Sequence, residues 1–359
     1  MHSTEGTNME KQYRLGFIGY GGMAGWHHQN LIRAPHVIPY AVYDINPARV
    51  KIGEEKGLKG YESSQALLSD PDIDIVLVAT PNNFHAEYSI AAMRAGKHVI
   101  SEKPVTMNSD ELLAVMAVAK ETGKQFSVHQ NRRWDKDYLT VRKAIEDGLI
   151  GDPYLIKSYV LGSRGIPEGW RTHKVAGGGM MLDWGVHLID QLLQMVGKPV
   201  VKVYARMQHV TFTEVDEGFT ATLHFENGPV AMVEVDTSCF VSQGRWHVRG
   251  NQGTLKVDNW DAEGKIIRAK DMKTQWEEEI VYTSAGPTKT MAPRSSFTSE
   301  ELDLDVVSAD WIQYYHNYVA ALEGREQLFV RPEEALRVMR VMEATFESER
   351  TGQAVDVRI

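Results

Sequence analysis

The sequence predicts a chain in two parts. The first is an α/β unit with a doubly wound parallel sheet, and the second is an α+β unit whose open antiparallel sheet carries helices on one face. Three observations predict it. The chain has 359 residues, too many for one typical core. Between Tyr13 and His129, short apolar runs alternate with segments of helical apolar spacing, the signature of a parallel sheet with crossover helices. Beyond Val200 the pattern changes to one strand run after another. The boundaries follow: a polar, disordered tail over residues 1–12, a first domain over 13–131 and a second over 132–359, with the last helix able to pack back on the first domain. The tail lacks the hydrophobic core of a signal peptide. With 43% hydrophobic and 24% charged residues, the composition is that of an ordinary globular protein. A net charge of −9 and the lack of a basic patch argue against nucleic acid as a partner. No apolar run reaches membrane-spanning length, so no membrane association is expected. The single cysteine, Cys239, excludes an internal disulfide and fits a cytoplasmic location.

The first domain opens with a strand from Tyr13 to Ile18. It runs into Gly19-Tyr20-Gly21-Gly22-Met23-Ala24, a GxGxxA turn. In such a turn the first glycine makes the bend, the second lets a pyrophosphate approach the backbone, and the small last residue lets helix and strand pack closely. The helix that follows, to about Arg33, offers free N–H groups to phosphates. A second strand, Val37 to Tyr43, ends on Asp44, twenty residues after Ala24, where a carboxylate is expected to bond an adenosine ribose. The competing reading makes Asp44 an N-cap for the helix starting near Pro47. Strand, turn, helix, strand and acid in order predict a dinucleotide site. The alternation continues through a helix at 48–56, a strand at 60–61, a brief helix at 63–68 and a strand at 72–79.

That last strand delivers Thr80-Pro81-Asn82-Asn83 to one edge of the sheet. A helix from His85 to Ala95 follows, with apolar spacing Ala86, Ile90, Met93, and Gly96 ends it. The next strand, His98-Val99-Ile100, leads to Ser101-Glu102-Lys103-Pro104. Two consecutive parallel strands thus present their carboxyl ends at the edge where open α/β sheets bind ligands. Lys103 stands there. Alone it reads equally as a solvated surface lysine. A helix at 109–122 and a strand at 125–129 complete the domain.

The second domain has a helix at 135–147 and a strand at 154–161. An irregular segment at 168–175 precedes Gly177-Gly178-Gly179, which opens a helix running to about Val196. Strand runs follow at 200–211, 218–225, 230–237, 244–249 and 253–257, with Asn227-Gly228 as a hairpin signal. Residues 283–305 read as a long excursion or lid. Two helices, at 311–323 and 332–349, close the chain. The glycine-led helix carries Asp183, His187 and Asp190, the first two as i,i+4 neighbours. They read as an intrahelical pair, as a structural histidine, or as a working site whose triple glycine admits close approach to the backbone. No third ligand has convincing metal spacing, so no metal is expected.

Together these segments resemble the Gfo/Idh/MocA oxidoreductases, named for glucose–fructose oxidoreductase and inositol dehydrogenase. The resemblance rests on GFIGYGGMA with Asp44, ATPNNFHAE, SEKP, Trp170-Arg171 and GGGMMLDWGVHLIDQLL, and it spans nearly the whole chain. The run Gln130 to Asp135, QNRRWD, is similar to the subgroup of scyllo-inositol and related sugar dehydrogenases. The resemblance implies a Rossmann domain, a second domain with an open sheet, and a homodimer or homotetramer built on that sheet's outer face. It implies catalytic roles for Lys103, Asp183 and His187. It implies coenzyme contacts from the turn Gly19, Tyr20, Gly21, Gly22, Met23 and Ala24, from Asp44, from Thr80, Pro81, Asn82 and His85, from Glu102 and Lys103, from Asn131, and from Trp170 and Arg171. Substrate contacts fall to Lys103, Arg132, Trp170, Asp183 and His187. Trp134, Trp170 and Trp184 offer aromatic surface to a sugar ring, with core burial the other reading for at least one.

The expected activity is that of an NAD(P)-dependent dehydrogenase acting on CH–OH donors. Hydride leaves a secondary carbinol carbon of a sugar, glycoside or cyclitol for the nicotinamide while a base near neutrality withdraws the hydroxyl proton. Lysine desolvated against the nicotinamide cation, or histidine, could be that base; the two titrate as a coupled set, and the sequence leaves the choice open. The alternatives are an NAD-dependent glycosidase using transient oxidation, a keto-sugar reductase, and a non-catalytic sensor, which the intact Lys103, Asp183 and His187 argue against. Asp44 followed by Ile45, with no adjacent arginine, favours NAD over NADP; Arg49 is the cation able to swing toward a 2′-phosphate.

Overall fold

The structure, a computed structural model, describes residues 11–212, 214–273, 280–289 and 294–359. The tail expected over 1–12 lies outside the described residues except for residues 11 and 12.

Six strands, β1 (Tyr13–Ile18), β2 (Val37–Tyr43), β3 (Lys59–Gly60), β4 (Ile75–Val78), β5 (His98–Ser101) and β6 (Phe126–Val128), alternate with five helices. The helices are α1 (Gly22–Asn30), α2 (Pro47–Glu55), α3 (Ser64–Ser69), α4 (His85–Arg94) and α5 (Ser109–Thr122). The strands all run parallel, in the order β3-β2-β1-β4-β5-β6. Ile75-Val76-Leu77-Val78 is buried throughout, as helices on both faces of a parallel sheet require. Winding reverses direction between β1 and β4, which opens a crevice at the carboxyl edge. Side-chain caps start three of the helices: Asn46, Ser63 and Asn108 accept from the N–H of Ala48, Ala66 and Glu111. The cap of α2 is therefore Asn46, and the capping reading of Asp44 is corrected. Asp44 instead accepts the Tyr20 N–H at 2.7 Å and the Asn46 N–H at 2.8 Å, which ties the end of β2 to the turn after β1.

The rest of the chain forms α6 (Lys136–Glu146), β7 (Pro153–Leu161), α7 (Val186–Val196), β8 (Val200–Gln208), β9 (Gly218–Phe225), β10 (Val230–Asp236), β11 (Trp246–Gly250), β12 (Gly253–Val257) and β13 (Gly264–Ala269). A small hairpin, β14 (Val281–Thr283) and β15 (Gly286–Thr288), precedes β16 (Ser299–Leu302), α8 (Gln313–Leu322), α9 (Pro332–Thr351) and β17 (Val355–Asp356). The nine-stranded sheet has the order β16-β13-β12-β11-β7-β10-β9-β8-β17. It is mixed rather than wholly antiparallel, because β7 and β10 pair in parallel. The cause is connectivity. The α7 crossover brings β8 back in the direction of β7, and two reversals through β9 return β10 to that direction. Part of the expected excursion at 283–305 is corrected as well. Ser299–Leu302, a polar run, closes the sheet as its edge strand beside β13, and edge strands tolerate such polarity.

Strands β8 to β10 alternate buried with part-exposed residues, so one face meets the helices and the other does not. The last two helices join the sheets. Glu343 of α9 accepts from the Ser109 N–H and hydroxyl at 2.7 and 2.8 Å, while Ser348 Oγ accepts the Ala205 N–H at 2.9 Å. Tyr318 of α8 donates to the Val99 carbonyl at 3.1 Å.

Candidate active site

Lys103 follows the end of β5. The ladder continues past the strands at this edge: Ala79 N–H donates to Ile18, Glu102 N–H to Val78 and His129 N–H to Ser101, each at 2.9 Å. Glu102 and His129 therefore come side by side, with Lys103 one residue further out. From there the Lys103 ammonium reaches the other part of the chain. Nζ donates to Asp183 Oδ1 at 3.0 Å and to the Asp183 carbonyl at 2.9 Å. Arg171 Nε holds the other carboxylate oxygen at 3.2 Å. Burial pushes the Asp183 carboxyl up, but the Lys103 and Arg171 cations outweigh it and hold the group below the usual carboxylate range.

The triple glycine explains how Asp183 arrives there. Gly178 and Gly179 sit where segments converge. A Cβ on Gly178 would overlap the Arg171 carbonyl, and Gly179, at φ +100°, would drive one into the Asp216 carboxylate. So the close approach that these glycines permit is between parts of this chain. Asp216, which sequence reasoning missed, accepts the Met181 N–H at 2.7 Å. Its carboxyl is pushed up to about 6 by burial. The helix begins as a π-turn, Met181–Gly185, before α7. Such turns concentrate at functional sites.

Asp183 and His187 do not bond each other, which corrects the intrahelical-pair reading. Asp183 faces Lys103 and Arg171. His187 is buried, and its Nδ1 has no hydrogen-bond partner among the described residues. Burial first, then the Lys103 and Arg132 cations, hold the imidazole well below its ordinary value, so it is neutral. Asp190, on the same helix, faces elsewhere and takes a fork of two bonds from buried Arg133, at 2.7 and 2.8 Å.

Arg132 lies against a pair of indoles that also touch each other, its guanidinium carbon 4.2 Å from the Trp184 ring centre and 5.0 Å from that of Trp260. Its NH1 donates to Asp135 at 2.9 Å, whose carboxyl burial pushes up to about 6 against the pull of Arg132. Arg245 covers Trp260 at 3.9 Å. Trp260 and Arg245 lie in the strand region and carried no signal in the sequence beyond their type. Trp134 is a core residue, 8% exposed and packed on Phe329 and Tyr314. Trp170 lies on a 3₁₀ turn beside Arg171, and Asn131 opens another. Asn82 donates to the Gly177 carbonyl at 2.8 Å, which joins the first sheet's turn to the glycine segment. His85 is buried, with its ring nitrogens 2.8 and 2.9 Å from the Pro104 and Thr80 carbonyls. A concavity of about 930 Å³, lined by His36, Trp134 and His316 among others, lies away from this chemistry, since neither Lys103 nor Asp183 lines it.

Glu102 is buried behind Lys103. Its Oε1 lies 2.8 Å from His27 Nε2 and 2.9 Å from His129 Nδ1, and its Oε2 accepts the Lys103 N–H at 3.2 Å. Despite burial, the histidines hold its carboxyl well below the usual range. The three ligand-capable atoms lie within 4.8 Å of one another, a spacing that could take a metal. The two N–H bonds to one oxygen account for the same geometry.

The turn after β1 fits a dinucleotide. Gly19, at φ +86°, packs so tightly on Ala79 that a Cβ would meet its carbonyl at 2.6 Å. A Cβ on Gly22 would meet nothing within 4 Å, so open space lies beside the turn. The N-cap of α1 is Gly21, which has no side chain to cap the helix, and this suits its N–H groups to a phosphate.

Fold and site together define an NAD-binding oxidoreductase with a Rossmann first domain. Residues 13–130 match the oxidoreductase family with NAD-binding Rossmann fold, and residues 138–256 match the GFO/IDH/MocA C-terminal domain; the chain belongs to the GFO/IDH/MocA family. It is 33% identical over 260 residues to the uncharacterized oxidoreductase YrbE of Bacillus subtilis, covering 70% of this chain and 75% of that one. It is 26% identical to the scyllo-inositol 2-dehydrogenase (NADP(+)) IolW of the same organism, over 95% of both chains. The solved structure of an NAD-binding protein from Listeria innocua superposes with a TM-score of 0.94 at 42% identity, covering 97% of this chain and all of that one.

Proposed function

We propose that the protein is an NAD-dependent dehydrogenase acting on a secondary hydroxyl of a sugar, glycoside or cyclitol. The observation that carries this reading is the bond from Lys103 to Asp183, which joins two distant parts of the chain, with buried His187 one helical turn on. Bound nicotinamide supplies the hydride acceptor. The residues of this chain handle the proton. In the resting arrangement Lys103 is an ammonium with two acceptors on Asp183, and His187 is an imidazole with a vacant nitrogen. One group is loaded and the other is empty, so the pair can take a hydroxyl proton in oxidation and return one in reduction. Asp183 orients the ammonium and Arg171. The donors of Arg132, packed against Trp184 and Trp260, suit substrate hydroxyls. The relative IolW acts on an inositol, which supports a cyclitol or sugar as substrate.

Incubating the protein with NAD and a panel of inositols, free hexoses and glycosides tests the reading. NADH absorbance should rise in step with a ketone product. Released sugar with the coenzyme acting catalytically would establish a glycosidase instead, and no change with any member would remove the reading. In the same assay NAD should exceed NADP about ten- to a hundredfold in kcat/KM, or ~1–3 kcal/mol, because Asp44 repels a 2′-phosphate. Arg49 NH1, 3.6 Å from Asp44, pulls the other way. Equal or better kcat/KM with NADP would sink the preference.

A further inference from the structure

We propose that His129 and Tyr315 are positioning residues for Lys103, acting through Glu102; the inference rests on the role given to Lys103 above. The observation is a buried polar cluster assembled from four elements. His27 comes from α1, Glu102 from the end of β5, His129 from the end of β6 and Tyr315 from α8. None is more than 4% exposed.

The bonds in it have one consistent direction. An ionised carboxylate has no proton to give, so both bonds to Oε1 need an N–H on the histidine. That places the proton of His27 on Nε2 and fixes one on Nδ1 of His129. Burial, then repulsion from His129, holds His27 near 4, so it stays neutral and its Nδ1 is left as an acceptor. The Tyr315 hydroxyl, 2.7 Å away, fills that role as donor. Tyr315 therefore fixes His27, His27 and His129 fix Glu102, and Glu102 fixes the Lys103 N–H through its second oxygen.

A polar cluster buried this deeply is costly to a core, and replacing all its members together by well-packed apolar side chains is often neutral or better for stability. What the carboxylate provides is aim. Lys103 has a long flexible side chain that must meet Asp183, eighty residues further along the chain. Among the described residues, the only polar bond at its backbone N–H runs to Glu102. Rigid support behind a reacting group decides whether it works, since a misplacement of about 1 Å can cost about 10²-fold in rate.

The test separates the donated N–H from mere packing. His129→Leu removes the donor. His129→Asn keeps an amide N–H at the position of Nδ1. Both lose the ring and its edge-on contact with Tyr314 at 4.9 Å, so they share the packing defect. Backbone hydrogen exchange of the peptide spanning 98–105, followed by mass spectrometry, needs no substrate. We expect His129→Leu to speed exchange there about tenfold or more, the loss typical of a bond to a charged group, and His129→Asn to stay within about threefold of wild type. On the best polyol of the panel, kcat should fall in the same order. Tyr315→Phe keeps its ring and should loosen the same peptide in the same direction; it carries the test if His129→Leu does not fold. Equal exchange in the Leu and Asn variants, or wild-type exchange in Tyr315→Phe, would overturn the proposal. Faster exchange with unchanged kcat would show that Lys103 works without this support and would overturn the positioning role, whereas the role of Lys103 itself is tested separately by Lys103→Ala.

Discussion

Lys103→Ala is expected to lose about 10²–10⁴-fold of kcat, the usual range for an acid–base group, while NADH binding stays largely intact. The separation follows from where the bonds go. Among the described residues the ammonium bonds only Asp183, whereas the turn from Gly19 to Ala24 is held by β1, α1 and the Asp44 carboxylate. The bond from Glu102 to residue 103 uses the backbone N–H and survives the substitution. What is lost is one of the two cations that hold the Asp183 carboxyl down, together with the loaded proton of the pair. Steady-state kinetics, with NADH binding followed by fluorescence, would show it. A variant keeping more than about a tenth of wild-type kcat would fall outside the acid–base range and remove Lys103 from the chemistry.

The largest stability effect is expected at Arg133. Its Nε and NH2 fork onto Asp190, and NH1 bonds Glu334 at 2.8 Å and the Phe329 carbonyl at 2.9 Å. Arg133 is 3% exposed and Asp190 1%. Four bonds thus join the 131–134 turn to α7, to the start of α9 and to the segment just before it. Arg133→Ala leaves Asp190 buried without a counter-charge, which typically costs about 3–5 kcal/mol. The double change Arg133→Met with Asp190→Leu should recover most of that, because the penalty comes from the stranded charge rather than from losing attraction. Urea unfolding of the three chains measures both. A loss under about 1 kcal/mol in Arg133→Ala, the scale of an exposed pair, would show that water reaches Asp190.

Local patterns made the first sheet legible. Its apolar strands, Gly123 at the end of α5, and the GxGxxA turn are written in consecutive residues, and the boundaries agree within a few positions. The second sheet was harder. Gly264–Ala269 has a charged residue at each end of its apolar pair, and Ser299–Leu302 carries two glutamates. Neither alternates strongly enough to declare a strand, and each is held by pairing with β12 or β13. Lys103, Asp183 and His187 could be named because motifs carry them. Their partners could not. Asp216 meets Met181, and His129 meets Glu102, through contacts between distant residues. Asp183 and His187 read as neighbours on a regular helix, and the π-turn between them changed which side chains each one meets.

The central claim is that Lys103 and His187 act as one proton-handling unit, brought together from two parts of the chain. Turnover of Lys103→Ala, His187→Ala and the double variant, measured on one substrate with saturating coenzyme, tests it most directly. Groups that act as a unit are not additive, so the double variant should be little slower than the slower single. If the two losses multiply instead, Lys103 and His187 act independently and the account of the site is wrong.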